Sequence, residues 1–204
     1  AQWLSRHDDI ERRERELLLC AAAGLTRAKL ITNPGLLLCG EVLGRLEDWA
    51  ARRRSGEPLA YLVGSQGFLD FDLAVSPAVL IPRPETEILV EQALAALAQC
   101  NLETDQRTST NATRTRLRLL DLGTGSGAIA LALARARPDA EVIGADISTE
   151  ALKIAAANAA TLGVEITWRT SSWFATLSGP FDLIVSNPPY IAADDPHLTD
   201  LTFE

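Results

Sequence analysis

The sequence predicts an α/β fold, a parallel sheet flanked by helices, preceded by a small all-α domain and a β-hairpin linker. From Leu117 onward, short apolar runs alternate with helix-period stretches, the pattern of strands buried on both faces and joined by crossover helices. Residues 1–62 instead carry apolar positions at helical spacing. A stretch rich in Gly and Pro, with period-two segments, lies between them.

In residues 1–62, Leu17, Leu18, Cys20, Ala21 and Leu25 follow the charged run Asp8 to Glu16. Leu36 to Leu46 then follows a break at Pro34-Gly35. A helical bundle is expected, ended by Gly56 and Pro58. In the linker, residues 63–83, segments around Phe68-Leu69-Asp70-Phe71 and Ala78-Val79-Leu80-Ile81 read as a hairpin. The third region, residues 84–204, begins with Pro84 as a first-turn residue. Glu85 and Glu87 follow at the positive end of a helix reaching about Ala98. The polar, aperiodic run Gln99 to Arg116 reads as a surface loop. Beyond it come strand Leu117–Leu122, helix Ala128–Arg137, strand Glu141–Asp146, helix Glu150–Leu162, and strands Val164–Arg169 and Phe181–Ser186.

The charge balance is 19 − 27 = −8. It is uneven: residues 1–65 hold 10 basic and 9 acidic groups, leaving 9 − 18 = −9 for residues 66–204. Proteins that track phosphates draw non-specific affinity from clustered Lys and Arg, so duplex DNA is not expected as the main partner and no stable nucleic-acid complex is foreseen. Cys20, Cys39 and Cys100 are odd in number and lack a C-x-x-C pair, which suggests neither a disulfide framework nor a zinc site and fits a reducing cytoplasm. No apolar run approaches the length of a membrane span, so no membrane partner is expected.

Asp121-Leu122-Gly123-Thr124-Gly125-Ser126-Gly127 follows a predicted strand and opens a helix. Glycines there let backbone approach a ligand without interference from Cβ, although a tight strand-to-helix turn could use them too. The spacing G-x-G-x-G, with Ala128 next, misplaces the third glycine of a dinucleotide fingerprint. Asp121 would repel a pyrophosphate but suits a ligand bearing an ammonium, such as the methionine end of S-adenosylmethionine. Asp146 closes the next strand, 19 residues after Gly127. A carboxylate there can accept hydrogen bonds from ribose hydroxyls, cap the following helix at Ser148, or do both.

Asn187-Pro188-Pro189-Tyr190 directly follows the last predicted strand, at the carboxyl end where open α/β sheets place ligands. Consecutive prolines fix φ and lack N–H donors, so this turn is stiff and presents acceptors. An amide or exocyclic amino nitrogen is a feeble nucleophile because its lone pair is delocalised. Asn187 Oδ1 and the Pro188 carbonyl could accept both N–H bonds of an –NH2 group and align it for displacement. Tyr190 would wall the pocket and face the growing positive charge with its ring. No general base is evident, and the proton can leave to solvent.

In these residues the chain resembles the release-factor glutamine N5-methyltransferases, the HemK type, over essentially its whole length. The matching stretches are Gly56-Glu57-Pro58 with Tyr61 and Gly64, Leu80-Ile81-Pro82-Arg83-Pro84-Glu85-Thr86-Glu87, Asp121 to Gly127, Gly144-Ala145-Asp146-Ile147-Ser148 and Ser186 to Ile191. The resemblance implies a Rossmann-like class I methyltransferase sheet with its first and fourth strands adjacent. It implies that Gly123 to Gly127 and Asp146 hold S-adenosylmethionine, that Trp173 lies beside adenine, and that Asn187 to Tyr190 grip a glutamine. A class 1 peptide release factor is the implied substrate, docked with help from the helical domain and entering by its Gly-Gly-Gln loop. A monomer is expected.

The chain departs from the family in two places. Ser172 precedes Trp173-Phe174 where family members often carry an acidic residue. The family's sheet continues through three further strands beyond the equivalent of Glu204, which leads to the expectation that these residues are part of a longer polypeptide.

His7 and His197 have no partners at metal-ligand spacing, so both are expected to be solvated and no metal is expected. Arg52-Arg53-Arg54 is expected to be a solvated helix end. Arg83, at the hairpin-to-helix junction, is open between a substrate or cofactor contact and a structural salt bridge. The rival functions are a ribosomal-protein glutamine methyltransferase, a nucleic-acid amino methyltransferase acting on adenine N6 or cytosine N4, and a degenerate binding module.

Overall fold

The computed structural model describes residues 2–33, 35–107 and 116–188, with backbone alone for 100–107. The described chain divides after Ser65 into two compact units.

The first unit is helical: α1 (Gln2–Arg6), α2 (Arg12–Ala23), α3 (Arg27–Thr32), α4 (Gly40–Arg54) and α5 (Leu59–Val63). Its core gathers Trp3, Ile10, Leu18, Leu19, Ala22, Leu46, Ala50 and Leu62. Full burial of a leucine such as Leu18 or Leu46 contributes roughly 1.5–3 kcal/mol. Gly24 ends α2 in the left-handed conformation at φ 62°, and its N–H meets the carbonyls of Cys20 and Ala21.

Two expectations fail in this unit. His7 is buried, not solvated: its ring lies 4.6 Å from that of Trp3. Arg54 Nη2 sits 2.9 Å from His7 Nδ1, and Glu47 Oε1 sits 3.2 Å from Nε2. Guanidinium can only donate, so Nδ1 accepts and Nε2 carries the proton toward Glu47. The Arg52-Arg53-Arg54 run is paired. Arg52 forms a fork on Glu57 at 2.7 and 2.5 Å, Arg53 a fork on Glu14 at 2.9 and 2.8 Å, and Arg54 pairs with Asp9 at 2.5 Å. Glu57, nearly buried, has its carboxyl held below the usual range by Arg52. Sequence spacing could not reveal the partners of Arg53 and Arg54, because Glu14 and Asp9 lie 39 and 45 residues away.

The second unit opens with a hairpin of β1 (Ser65–Phe68) and β2 (Phe71–Ala74). Leu69 turns it with φ 52°, and its N–H donates to Glu87 Oε1 at 2.7 Å. Asp70 takes a two-pronged pair from Arg135 at 2.6 and 2.8 Å. The first apolar segment thus supplies both arms. Residues 78–81 form a turn and irregular chain, since Pro77 and Pro82 cannot donate to a ladder.

Helix α6 (Pro84–Arg107) extends past Ala98, because Leu, Glu and Gln in residues 99–107 are good helix formers despite their polarity. The remaining elements are β3 (Arg118–Leu122), α7 (Ala128–Ala136), β4 (Glu141–Asp146), α8 (Thr149–Leu162), β5 (Thr167–Thr170) and β6 (Leu183–Ser186). The four strands are parallel in the order β5-β4-β3-β6. Every residue of α7 from Ala128 to Leu133 is buried. One sheet face carries Leu120, Leu122, Ile143 and Ala145, covered by Leu177 and Phe181. The β5 start at Thr167, later than Val164, follows the left-handed Gly163 cap of α8.

Candidate active site

Leu122 pairs in register with Ser186, so the chain leaves β3 into Gly123 and β6 into Asn187 at the same level of the sheet. Ser186 Oγ reinforces this by donating to the Leu122 carbonyl at 2.7 Å. The reversal of strand order about β3 puts both turns at a topological switch point, where crossovers on opposite faces open a crevice.

The glycine loop is held from several sides. The N–H groups of Gly123 and Thr124 both donate to the Ala145 carbonyl, at 2.8 and 2.9 Å. Asp146 Oδ2 accepts from Gly125 N at 2.8 Å, while Oδ1 accepts from Ser148 N at 2.9 Å. Ser148 in turn caps α8 by accepting from Ala151 N. Asn158, buried on α8, mimics a strand partner: its Oδ1 accepts from Ala74 N at 2.8 Å and its Nδ2 donates to Ala74 O at 3.1 Å. The same amide nitrogen donates to Ser126 O at 2.9 Å, tying the hairpin to the loop.

The glycines divide in purpose. Gly123, Gly125 and Gly127 all have positive φ, but a Cβ at Gly123 or Gly125 would meet open space, whereas one at Gly127 would meet Ala155, Leu131 and Trp168 at 3.1–3.2 Å. The backbone at Gly123 and Gly125 stands open, and Gly127 permits close packing. Gly144 serves packing as well: its Cβ would fall 2.2 Å from Trp168 Cζ3, so the indole occupies the space a side chain would need.

Asp121 behaves differently from expectation. It has no exposed surface, so a direct bond from its carboxylate to a ligand is not available. Oδ2 accepts from Thr124 Oγ1 at 2.5 Å and Ala130 N at 3.0 Å, while Oδ1 is buried with no hydrogen-bond partner among the described residues. Burial raises its pKa to about 6. Thr124 and Ser126 are also buried, and the Thr124 hydroxyl is turned inward to Asp121.

Three apolar side chains stand exposed where β4 and β5 end: Ile147, 72% exposed, beside Asp146, and Trp173 and Phe174 at 63% and 50%. Trp173 has φ 51°, costly for a non-glycine residue. Its carbonyl accepts from Ser171 Oγ at 2.8 Å, and Ser171 N donates to the Asp146 carbonyl at 2.9 Å. Ile147 and Asn158 were missed in sequence. An apolar residue directly after a strand-ending carboxylate could have flagged Ile147, but nothing local marks Asn158.

On the other side of the crevice, Asn187 Nδ2 donates to Thr86 Oγ1 at 2.9 Å. Pro188 is half-buried, and Pro189, Tyr190 and His197 lie outside the described residues. Arg83 is exposed, and its carbonyl accepts from Thr86 N at 2.9 Å. Among the described residues no cluster of His, Cys, Asp and Glu could hold a metal, and no helix is long and apolar enough to cross a membrane.

A cationic, adenosine-bearing ligand fits these residues. The open backbone at Gly123 and Gly125 leaves room for its approach, and the undonated Asp121 Oδ1 supplies negative potential. The four lone-pair sites of the Asp146 carboxylate exceed the two backbone bonds it makes. The exposed apolar group at Ile147 and Trp173 offers a face for a base.

The fold and this site define a class I methyltransferase, in accord with a match of residues 100–201 to the family model described as Methyltransferase small domain. Residues 1–64 match the PrmC N-terminal domain. Proteins named "Release factor glutamine methyltransferase" are similar along nearly the whole chain. The one from Pseudomonas aeruginosa is 49% identical over 197 residues, covering 95% of this chain and 66% of that protein. The Yersinia pestis protein is 45% identical over 207 residues, covering 97% and 69%. The Neisseria gonorrhoeae protein is 42% identical over 208 residues, covering 100% and 70%. The chain therefore belongs to the release factor glutamine methyltransferase family, and it spans about two thirds of the length of these curated relatives.

Proposed function

We propose that the protein transfers a methyl group from S-adenosylmethionine to the side-chain amide nitrogen of a protein glutamine, the Gly-Gly-Gln glutamine of a class 1 peptide release factor. The names of its relatives support the substrate. The observation that carries the chemistry is the register of Leu122 with Ser186, which aligns the glycine loop and an amide-bearing turn at one sheet edge.

When bound, S-adenosylmethionine supplies an electrophilic sulfonium methyl. Asp146 is assigned the ribose hydroxyls, Gly123 and Gly125 the close backbone approach, and Trp173 with Ile147 the adenine faces. Asp121 acts at a distance on the ammonium, through charge. Asn187 Oδ1 and the Pro188 carbonyl accept the two N–H bonds of the glutamine amide. Those bonds hold the nitrogen in one place and favour the positive charge that develops on it. Tyr190 walls the acceptor site. No residue is assigned as general base, since the methylated nitrogen is acidic enough to release its proton to water.

Acidic charge over residues 66–204, 9 − 18 = −9, supports action without a stable nucleic-acid partner. The free thiols of Cys20 and Cys39 suit a cytoplasmic enzyme. The protein is read as a monomer. The test is incubation of the full-length protein with labelled cofactor and, separately, release factors, ribosomal proteins, RNA and DNA, followed by mass mapping. Label on the side-chain nitrogen of the release-factor glutamine is the expected result. Label only in a ribosomal protein or nucleic acid, or no cofactor binding at all, contradicts the proposal.

A further inference from the structure

We infer that Thr86 is a positioning residue for methyl transfer: its buried hydroxyl holds the plane of the Asn187 carboxamide so that Oδ1 is presented to the acceptor amide. The inference rests on the proposed role of Asn187. Thr86 stands in the first turn of α6 and is only 5% exposed. Its own N–H is engaged by the Arg83 carbonyl at 2.9 Å, which fixes the turn that carries it. From there the hydroxyl reaches across 101 residues of sequence to Asn187 Nδ2, at 2.9 Å.

An asparagine needs such a restraint. Rotation of its amide about χ2 is broad, with no staggered wells to hold it, so neighbours must set the plane. A carboxamide turned the wrong way would oppose its own NH2 to the NH2 of the acceptor, two donors with no acceptor between them. The bond to Thr86 directs Nδ2 toward α6 and so turns Oδ1 to the opposite edge of the amide plane. The Pro-Arg-Pro-Glu-Thr-Glu stretch, residues 82–87, thereby acquires a division of labour. Glu87 anchors the hairpin turn through Leu69 N, and Thr86 serves the acceptor site.

The test compares Thr86→Val, which keeps shape but removes the hydroxyl, with Thr86→Ser, which keeps the hydroxyl, both in the full-length protein. Thr86→Val is expected to lower kcat roughly ten- to a hundredfold, as misplacement of a reacting group does. The cofactor Kd should stay within about twofold, and Thr86→Ser should restore most of the rate, because the hydroxyl alone makes the bond. In an Asn187→Ala background, Thr86→Val should add no further loss. Thr86→Ala, which cannot overpack the site, must repeat the valine result and serves if the valine protein does not fold.

Unchanged kcat in Thr86→Val or Thr86→Ala overturns the inference, as does a serine variant no better than valine, which would assign Thr86 to packing alone. If Asn187→Ala itself retains full turnover, the proposed function fails first. Loss in Asn187→Ala with normal turnover in Thr86→Val removes only the role of Thr86.

Discussion

The glycine loop and the Asn187 turn leave neighbouring strands at one level, yet they are held in unlike ways. Gly123 to Gly127 is tied by two N–H bonds to Ala145, by the Asp146 carboxylate, by Asp121 through Thr124, and by Asn158 through Ser126. The Asn187 side chain donates to the Thr86 hydroxyl at the start of α6. A cofactor site held at many points tolerates the loss of one. An acceptor site whose geometry depends on the plane of one amide does not, so single substitutions should affect turnover and cofactor affinity unequally.

The largest effect is expected at Asn187. Asn187→Ala should lower kcat by about a hundred- to a thousandfold, the range seen when a group aimed at developing charge is removed. Cofactor affinity should stay within about threefold by calorimetry, since the loop's own bonds are untouched. A parallel fall in both quantities would erase the contrast between the two regions.

Asp146→Ala comes next and should act in the opposite sense, weakening cofactor binding by roughly tenfold or more. It removes the carboxylate proposed to accept from ribose, together with the caps on Gly125 N and Ser148 N. Asn158→Leu should cost about 1–3 kcal/mol of stability by leaving the buried Ser126 carbonyl without its donor and by removing the paired bonds to Ala74. Thermal unfolding measures that loss, with a smaller decline in cofactor affinity because the other ties to the loop remain.

The smallest effect belongs to Asp121 and depends on pH. Burial lifts its pKa from 3.8 to about 6, so the folded protein binds this proton more tightly than the unfolded chain. The contribution favours folding below pH 3.8 and is lost as pH rises through about 6. Asp121→Asn should flatten that part of the stability profile. The same ionisation adds negative potential near the loop, so affinity for a cationic ligand should rise across this window in the native protein and less so in the asparagine variant.

Much of this architecture was legible in the chain. Apolar runs with intervening helices announced the parallel sheet, and the sequence order alone places Asp146 at the end of one strand and Asn187 just after another, on the carboxyl side of the sheet. Contacts distant in sequence were not legible. Nothing around Thr86 distinguishes it from an ordinary first-turn threonine, and Asn158 reads as a polar residue inside an alanine-rich helix. The burial of His7 depends on Arg54 and Glu47, which lie 47 and 40 residues away. Asp121 was misjudged for a related reason, because a carboxylate before a glycine loop looks available until the fold shows it enclosed. The linker differs locally: two apolar segments suggest two strands, but between the flanking prolines at 77 and 82 the N–H groups of Ala78 and Val79 turn back onto Ser76.

The central claim is that a planar carboxamide is held by Asn187 Oδ1 and the Pro188 carbonyl. It is tested most directly by a crystal structure of the full-length protein with S-adenosylhomocysteine and a Gly-Gly-Gln peptide. Both oxygens should accept from the glutamine side-chain nitrogen at hydrogen-bond distance, with that nitrogen facing the sulfur. A glutamine bound elsewhere, or oxygens turned away from it into bonds within the protein, would contradict the account.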